Sequence, residues 1–233
     1  MSVQPPSAAA PTCSLDDPRV RSVLGRLYAE TRGQIFGIAG LSFEYARDWA
    51  LGRKATSEIE AARLRDLYVP LNPKQGRLVY QIARSIGARR IVEFGTSAGI
   101  STIHFAAAVR DNGGGIVVGT DIEPTKVARA RANVEQAGLG AYVEVREGDA
   151  QQTLVDPGGP VDLVLLDGFK ALYIPILKLL RPHLHTGSVV FADNIFIFWR
   201  TLRPYVAYVQ DPRNGFSSVT LALGTGTEYS VRL

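Results

Sequence analysis

From residue 76 onward short apolar runs and helical stretches take turns along the chain, and this alternation limits the fold more than any other feature. Helical spacing occupies residues 77–86, 101–109, 124–137 and 172–180; apolar runs occupy 91–95, 116–121, 142–145, 161–167 and 188–193. Strands that alternate with helices pair in parallel, since each crossover brings the chain back to the same end of the sheet, and the helices cover both faces. The ending differs. Residues 217–223 and 228–233 alternate polar and apolar side chains around Gly224, Thr225 and Gly226, which reads as an antiparallel hairpin.

The expected fold class is therefore α/β: a Rossmann-like, doubly wound, mostly parallel sheet over residues 76–233, closed by a C-terminal antiparallel hairpin. Residues 15–75 read as an N-terminal helical extension, in which Asp16 and Asp17 cap a helix carrying Val20, Val23, Leu24 and Leu27. More helix is expected over 43–51 and 58–67, with the apolar, glycine-bearing stretch 33–40 as a loop or mobile cover. Residues 1–14 are expected to be a disordered tail, because their Ser, Ala and Pro offer too little apolar surface to offset the entropy of ordering.

Composition excludes several classes of function. No apolar run is long enough to cross a bilayer and no secretory signal opens the chain, so a soluble, cytoplasmic protein with no membrane partner is expected. Cys13 is the sole cysteine, which rules out an intrachain disulfide or a thiolate metal cluster. The net charge of +4 is spread along the chain, and pairs such as Arg63 with Arg65 and Arg89 with Arg90 read as solvated surface. No nucleic-acid partner is expected.

Glu93, Gly95, Ser97 and Gly99 fall at the carboxyl end of the first core strand, where a doubly wound sheet opens its ligand crevice. Glycine there permits close backbone approach, and the free amides of the next helix face the same crevice. Asp121 ends the second strand. A carboxylate at that point suits the two hydroxyls of a ribose, although it also suits a helix cap before Pro124. Gly148, Asp149 and Ala150 end the third strand, placed to flank an adenine ring and accept from its amino group.

Two other readings compete for the glycine turn. Gly95, Ser97 and Gly99 spell G-x-S-x-G, the nucleophile elbow of α/β-hydrolases, with Asp167 and then His183 or His185 following in hydrolase order. No upstream oxyanion segment accompanies it, and Glu93 and Asp121 are left without a task. A dinucleotide site needs G-x-G-x-x-G for its pyrophosphate, and Ser97 stands at the second glycine position. A nucleoside without a pyrophosphate fits better, and S-adenosylmethionine is one.

Asp167 and Lys170, in LLDGFK, end the fourth core strand; Asp193 and Asn194, in VVFADN, end the fifth. Neighbouring strand ends bring three oxygen-bearing side chains to one side of the crevice, a set suited to Mg²⁺, Mn²⁺ or Ca²⁺. Loop capping by Asp193 and Asn194, and an exposed Lys170 at the start of a helix, are the structural alternatives.

VEFGTSAGIST, TDIEP, EGDA, LLDGFK, FADN and SVTLALGTGTEYSVRL together resemble the cation-dependent class I O-methyltransferases, the group that contains catechol and caffeoyl-CoA O-methyltransferases. The resemblance runs from about residue 76 to the carboxyl end, and the LLDGFK and FADN pair is its specific part. It implies that Glu93 and Asp121 hold the methionine and ribose portions of S-adenosylmethionine. Gly95, Thr96 and Ser101, within the turn that also contains Ser97 and Gly99, line the cofactor, and Asp149 and Ala150 meet the adenine. Asp167, Asp193 and Asn194 bind the metal, with Lys170 as general base or as stabiliser of the phenolate. The implied reaction is methylation of a phenolic or catechol-like small molecule; a metal-independent class I methyltransferase and a non-enzymatic binding module are the alternatives.

The segment IFIFWR after FADN holds no acid to meet a second substrate hydroxyl. Phe196, Phe198 and Trp199 there either line an aromatic substrate pocket or pack in the core. No Asn/Asp-Pro-Pro-aromatic motif of base N-methyltransferases is present at residues 192–195. Apolar helices in the N-terminal extension give a homodimer as the expected assembly.

Overall fold

The computed structural model describes residues 13–33, 47, 51 and 71–233. The expected tail over 1–12, the stretch 33–40 and the helices over 43–51 and 58–67 lie outside these residues, single positions aside. Ser14, at the end of the expected tail, is buried, and its N–H donates to Asp111 Oδ2 at 2.8 Å. Seven strands form one sheet in the order β3-β2-β1-β4-β5-β7-β6. They are β1 (Arg90–Phe94), β2 (Ile116–Asp121), β3 (Val143–Glu147), β4 (Val161–Leu166), β5 (Leu184–Ala192), β6 (Phe216–Leu221) and β7 (Thr227–Arg232). The first five pair in parallel, and β7 runs antiparallel to both β5 and β6. The alternation and the hairpin thus take the expected forms.

Side chains alternate across each strand, so the apolar runs feed two cores at once. Ile91, Val117, Leu163, Leu165, Val189 and Phe191 face one layer, built from α1 (Pro18–Gly33), α2 (Pro73–Ser85) and α3 (Ile100–Asp111). Val92, Phe94, Val118, Val164, Leu166, Val190 and Ala192 face the other. A strand buried on both faces has no polar side to show, which is why these runs read as continuous apolar stretches. Helix α4 (Pro124–Gln136) packs Val127 and Ala130 against Val145 of β3. Asp17 rather than Asp16 caps the first long helix, accepting from Arg19 N at 2.9 Å, and Val20, Val23, Leu24 and Leu27 are buried as the spacing predicts.

Three elements differ from the sequence reading. Strand β5 begins at Leu184, ahead of the expected 188, because the pairing with β4 shifts register between Val161 and Leu163 and recruits the polar residues before Ser188. A short helix, α5 (Ala150–Thr153), follows β3, and its cap is Asp149. After α6 (Tyr173–Leu180) and β5 comes a helix not anticipated, α7 (Trp199–Gln210), with Pro204 inside it. Its buried Leu202, Tyr205 and Val209 hold helical spacing against the second core, so tertiary burial outweighs the one backbone bond that the proline removes.

Strand β1 pairs with β2 on one side and β4 on the other, and the chain order reverses there. A crevice opens at the carboxyl ends of strands at such a switch point. The loops after β1, β2, β4 and β5 converge on it. The hairpin turn reaches the same place, since Ile195 and Phe196 donate their backbone N–H groups to Gly226 and Thr225 carbonyls, both at 2.9 Å.

Candidate active site

The loop after β1 is built to sit close to its neighbours. Gly95 has φ +98°, and a Cβ there would lie 2.7 Å from Gly168 N and 2.8 Å from Asp167 C, so only glycine lets the β1 and β4 loops touch. The amides of Gly95 and Thr96 both donate to Thr120 O at 3.1 Å. Ser97 adopts φ +50°, which turns its N–H toward Asp121 Oδ2 at 2.8 Å. The other Asp121 oxygen accepts from Glu123 N at 3.1 Å. Asp121 therefore ties the two loops together at the crevice and is not the cap of α4, whose first residues it does not bond.

Glu93 is fully buried beneath this loop. Burial pushes its carboxyl up to about 7, against the partial relief of the Ser101 and Thr102 hydroxyls, and Asp121 adds to the rise. Thr102 Oγ1 donates to Glu93 Oε2, whereas Glu93 Oε1 and Thr96 Oγ1 are buried without a hydrogen-bond partner. Orphaned polar atoms cost about 1–3 kcal/mol each until something meets them.

Gly148 N donates to Asp121 O at 3.0 Å, joining the loops after β2 and β3. Asp149 gives one oxygen to Gln151 N at 2.9 Å as cap of α5, and Ala150 is buried beside it. Gly95, Thr96, Ser97, Gly99, Ser101, Asp121, Asp149 and Ala150 thus lie on three loops and a helix start around one crevice.

The second half of the site lies at the ends of β4 and β5. Asp167 N donates to Phe94 O at 2.9 Å and Asp193 N to Leu166 O at 3.1 Å, so the two acids stand at successive strand ends. Lys170 is buried, and its Nζ donates to Asp167 Oδ1 at 3.1 Å, Asp167 O at 3.3 Å and Tyr173 Oη at 3.0 Å. Tyr173 Oη in turn donates to Asp193 O at 3.1 Å. The Lys170 ammonium also lies 5.6 Å from the centre of the Phe198 ring, within reach of its π face.

Both acids favour their protons. Burial raises Asp167 to about 7; Lys170 opposes the rise, while Asp193 and Glu93 add to it. Asp193 is also raised, again mainly by burial, with Lys170 pulling the other way. Its oxygens are held by neutral donors alone: Oδ1 by Gln75 Nε2 at 2.7 Å and Thr227 Oγ1 at 3.3 Å, Oδ2 by Asn194 Nδ2 at 2.8 Å and Thr225 Oγ1 at 3.3 Å. Asn194, at φ +68°, also donates Nδ2 to Thr225 Oγ1, and among the described residues no donor meets its Oδ1.

Asp167 and Asp193 share one lysine, and burial is the main cause of the upward shift of both acids, which a divalent cation bound between them would reverse. Among the described residues no three His, Cys, Asp or Glu side chains cluster as metal ligands. A cation placed here would meet two carboxylates and the Asn194 amide oxygen, an all-oxygen set of the kind hard ions prefer. On this chemistry the residues fit the group.

The hydrolase arrangement is absent. Ser97 follows the carboxyl end of β1, whereas Leu184 opposes Val161 at the amino ends of β5 and β4. His185 is therefore at the opposite end of the strands, bonded to Asp162 Oδ1 at 2.9 Å. Phe196 and Trp199 are 50% and 52% exposed, which removes core packing as their explanation, while Phe198 is partly buried beside Lys170.

Sequence reasoning missed Gln75, Tyr173, Thr225 and Thr227. Gln75 had a signal, the Asn72-Pro-Lys-Gln75 capping box that opens α2. Tyr173 stands three residues after Lys170, one helical turn on. Nothing local marks the threonines as neighbours of Asp193.

A methyltransferase domain family matches residues 92–195. The catechol O-methyltransferase of Niastella koreensis is 35% identical over 135 residues, covering 54% of this chain and 58% of that protein. The enzyme of the same name from Mycobacterium tuberculosis is 34% identical over 128 residues, covering 54% and 57%. The chain thus spans less than two thirds of the length of these curated relatives. The O-methyltransferase TomG from Streptomyces achromogenes, solved in complex with S-adenosylmethionine and involved in tomaymycin synthesis, superposes with a TM-score of 0.65 at 25% identity over 77% of this chain and 91% of that one. The strand order, the loops at the switch point and these similarities together make the chain similar to class I O-methyltransferases, with a methyltransferase domain matched over residues 92–195.

Proposed function

We propose that the protein transfers a methyl group from S-adenosylmethionine to a hydroxyl of a phenolic or catechol-like small molecule, with a divalent cation, Mg²⁺ before Mn²⁺ or Ca²⁺, at Asp167, Asp193 and Asn194. The observation that carries this reading is the Asp167–Lys170 pair, 3.1 Å apart and buried, beside Asp193 and Asn194 at the adjacent strand end. When bound, the cofactor supplies an electrophilic methyl and the cation lowers the proton affinity of a coordinated hydroxyl.

The chain's own residues then have distinct tasks. Glu93 Oε1 and Thr96 Oγ1, buried and unpartnered, receive the amino group of the methionine portion. Gly95, Ser97, Gly99 and Ser101 line the turn beneath it. Asp121, already fixed by Ser97 N and Glu123 N, meets the ribose, and Asp149 with Ala150 flanks the adenine. A phenol titrates near pH 10, so it needs help to ionise at neutral pH. Lys170 supplies it. Its Nζ, held as a donor to Asp167 and Tyr173, is placed to stabilise a phenolate beside them. The exposed Phe196 and Trp199 offer aromatic surface at the mouth.

The test is a mass-shift screen of catechols and hydroxycinnamoyl compounds with S-adenosylmethionine, with and without Mg²⁺, on the wild type and Asp193→Ala. Turnover lost in chelator and in the variant supports the reading. The second reading, a metal-independent class I methyltransferase, draws on one observation: Lys170 and four neutral donors already satisfy much of the acid pair. Turnover unchanged in chelator selects it. A thermal shift absent with S-adenosylmethionine sinks both and favours a binding module. A homodimer is part of the same proposal, checked by light scattering.

A further inference from the structure

We infer that Gln75 is a positioning residue for the cation site: its side-chain amide fixes Asp193 and thereby sets how tightly the site holds a divalent ion. This deepens the metal-dependent reading above and rests on it.

Gln75 is 2% exposed, and its amide joins two distant elements. Nε2 donates to Asp193 Oδ1 at 2.7 Å, while Oε1 accepts from Asn72 N at 3.1 Å. Both ends agree on one orientation of the amide. Reversing it would set Oε1 against a carboxylate and an NH₂ against a backbone N–H, losing both bonds. The capping box of α2 thus aims a donor across 118 residues of sequence at the end of β5.

Of the four donors on Asp193, Gln75 makes the shortest bond. Without it Oδ1 keeps only Thr227 Oγ1, at 3.3 Å, and the carboxylate is freer to rotate about its last torsion. Gln75 also brings no charge. It restrains the ligand while leaving its negative charge for the ion, which a lysine in the same place would cancel. Outer hydrogen bonds that orient metal ligands act in this way.

The experiment measures Mn²⁺ binding to the full chain by the electron paramagnetic resonance of free Mn²⁺, alongside thermal unfolding without metal. Gln75→Met keeps the length of the side chain and loses both bonds. Asn72→Ala removes the Asn72 carboxamide that caps α2 and leaves the bond to Asp193 in place. Gln75→Met should raise the Mn²⁺ dissociation constant about 10–100-fold, and Asn72→Ala should leave it within about twofold, although both lower the melting temperature. Should Gln75→Met fail to fold, Gln75→Asn, one methylene short of Asp193, is expected to weaken Mn²⁺ in the same direction. Wild-type affinity in the folded Gln75 variant, or equal weakening in the Asn72 variant, overturns the assignment alone. A wild type that takes up no Mn²⁺ at millimolar concentration overturns the metal reading and the assignment together.

Discussion

Replacing Gly95 by alanine probes the contact that holds the cofactor half of the crevice against the acid half. The new Cβ would lie 2.7 Å from Gly168 N and 2.8 Å from Asp167 C and Gly168 Cα, all backbone atoms that cannot swing aside. Ordinary contact begins near 3.4 Å, so the β1 and β4 loops must part by about 0.7 Å, the difference from 2.7 Å. The φ of +98° adds a second penalty, since alanine reaches the left-handed region only near roughly +50 to +70°. Backbone strain of about 1–2 kcal/mol and overpacking of about 1–3 kcal/mol give roughly 2–5 kcal/mol in all. Gly99→Ala is the matched comparison. It shares a positive φ of +85°, but its Cβ meets Ala130 Cα at 3.4 Å, an ordinary contact, so only the strain of about 1–2 kcal/mol remains. Equilibrium urea unfolding of both variants, with S-adenosylmethionine affinity by calorimetry, makes the comparison. Equal losses of stability, or a Gly95→Ala loss below about 0.5 kcal/mol, would refute the argument that the loops are in forced contact.

Lys170→Met should lower kcat about 10²–10⁴-fold while leaving cofactor affinity within about twofold, read by single-turnover kinetics and calorimetry; equal losses in both would return Lys170 to a structural role. The unliganded protein should lose stability as pH rises. Glu93 titrates at about 7 when folded against 4.5 ordinarily, so the native state holds its proton more tightly than the unfolded one. The resulting stability is fully present below the ordinary value and is lost as pH rises through about 7, with Asp167 acting in the same sense. Melting temperatures from about pH 4.5 to 8 that stay flat or climb contradict this, and Glu93→Gln should shallow the slope. Trp199→Ala should raise KM for an aromatic acceptor several-fold with kcat little changed, since the exposed ring offers binding area and no polar atom at the acid pair; a fall in kcat alone argues otherwise.

Much of the fold was legible because parallel strands buried on two faces have to be apolar throughout, and the neighbours Ile91 and Val92, Val117 and Val118, and Leu163 and Val164 each divide between two cores. Helix α7 was hidden by Pro204 and by Arg200 and Arg203, which mask a stripe formed only by Leu202, Tyr205 and Val209. The acids of the site were legible from their positions at strand ends. Their partners were not: Gln75 and Thr227 meet Asp193 across 118 and 34 residues, and no local pattern encodes such a meeting. The competing elbow reading of Ser97 likewise could be dismissed only once His185 was seen at the far end of the strands.

The donors that surround Asp193 also impose an order of assembly. During synthesis β5 leaves the ribosome before the turn that carries Thr225 and Thr227, so a nascent chain can pair the parallel strands while this acid still lacks two of its hydrogen bonds. The crevice is completed only when the hairpin folds back on β5. A chain stalled in that interval has a sheet and a glycine turn but an unfinished acid pair.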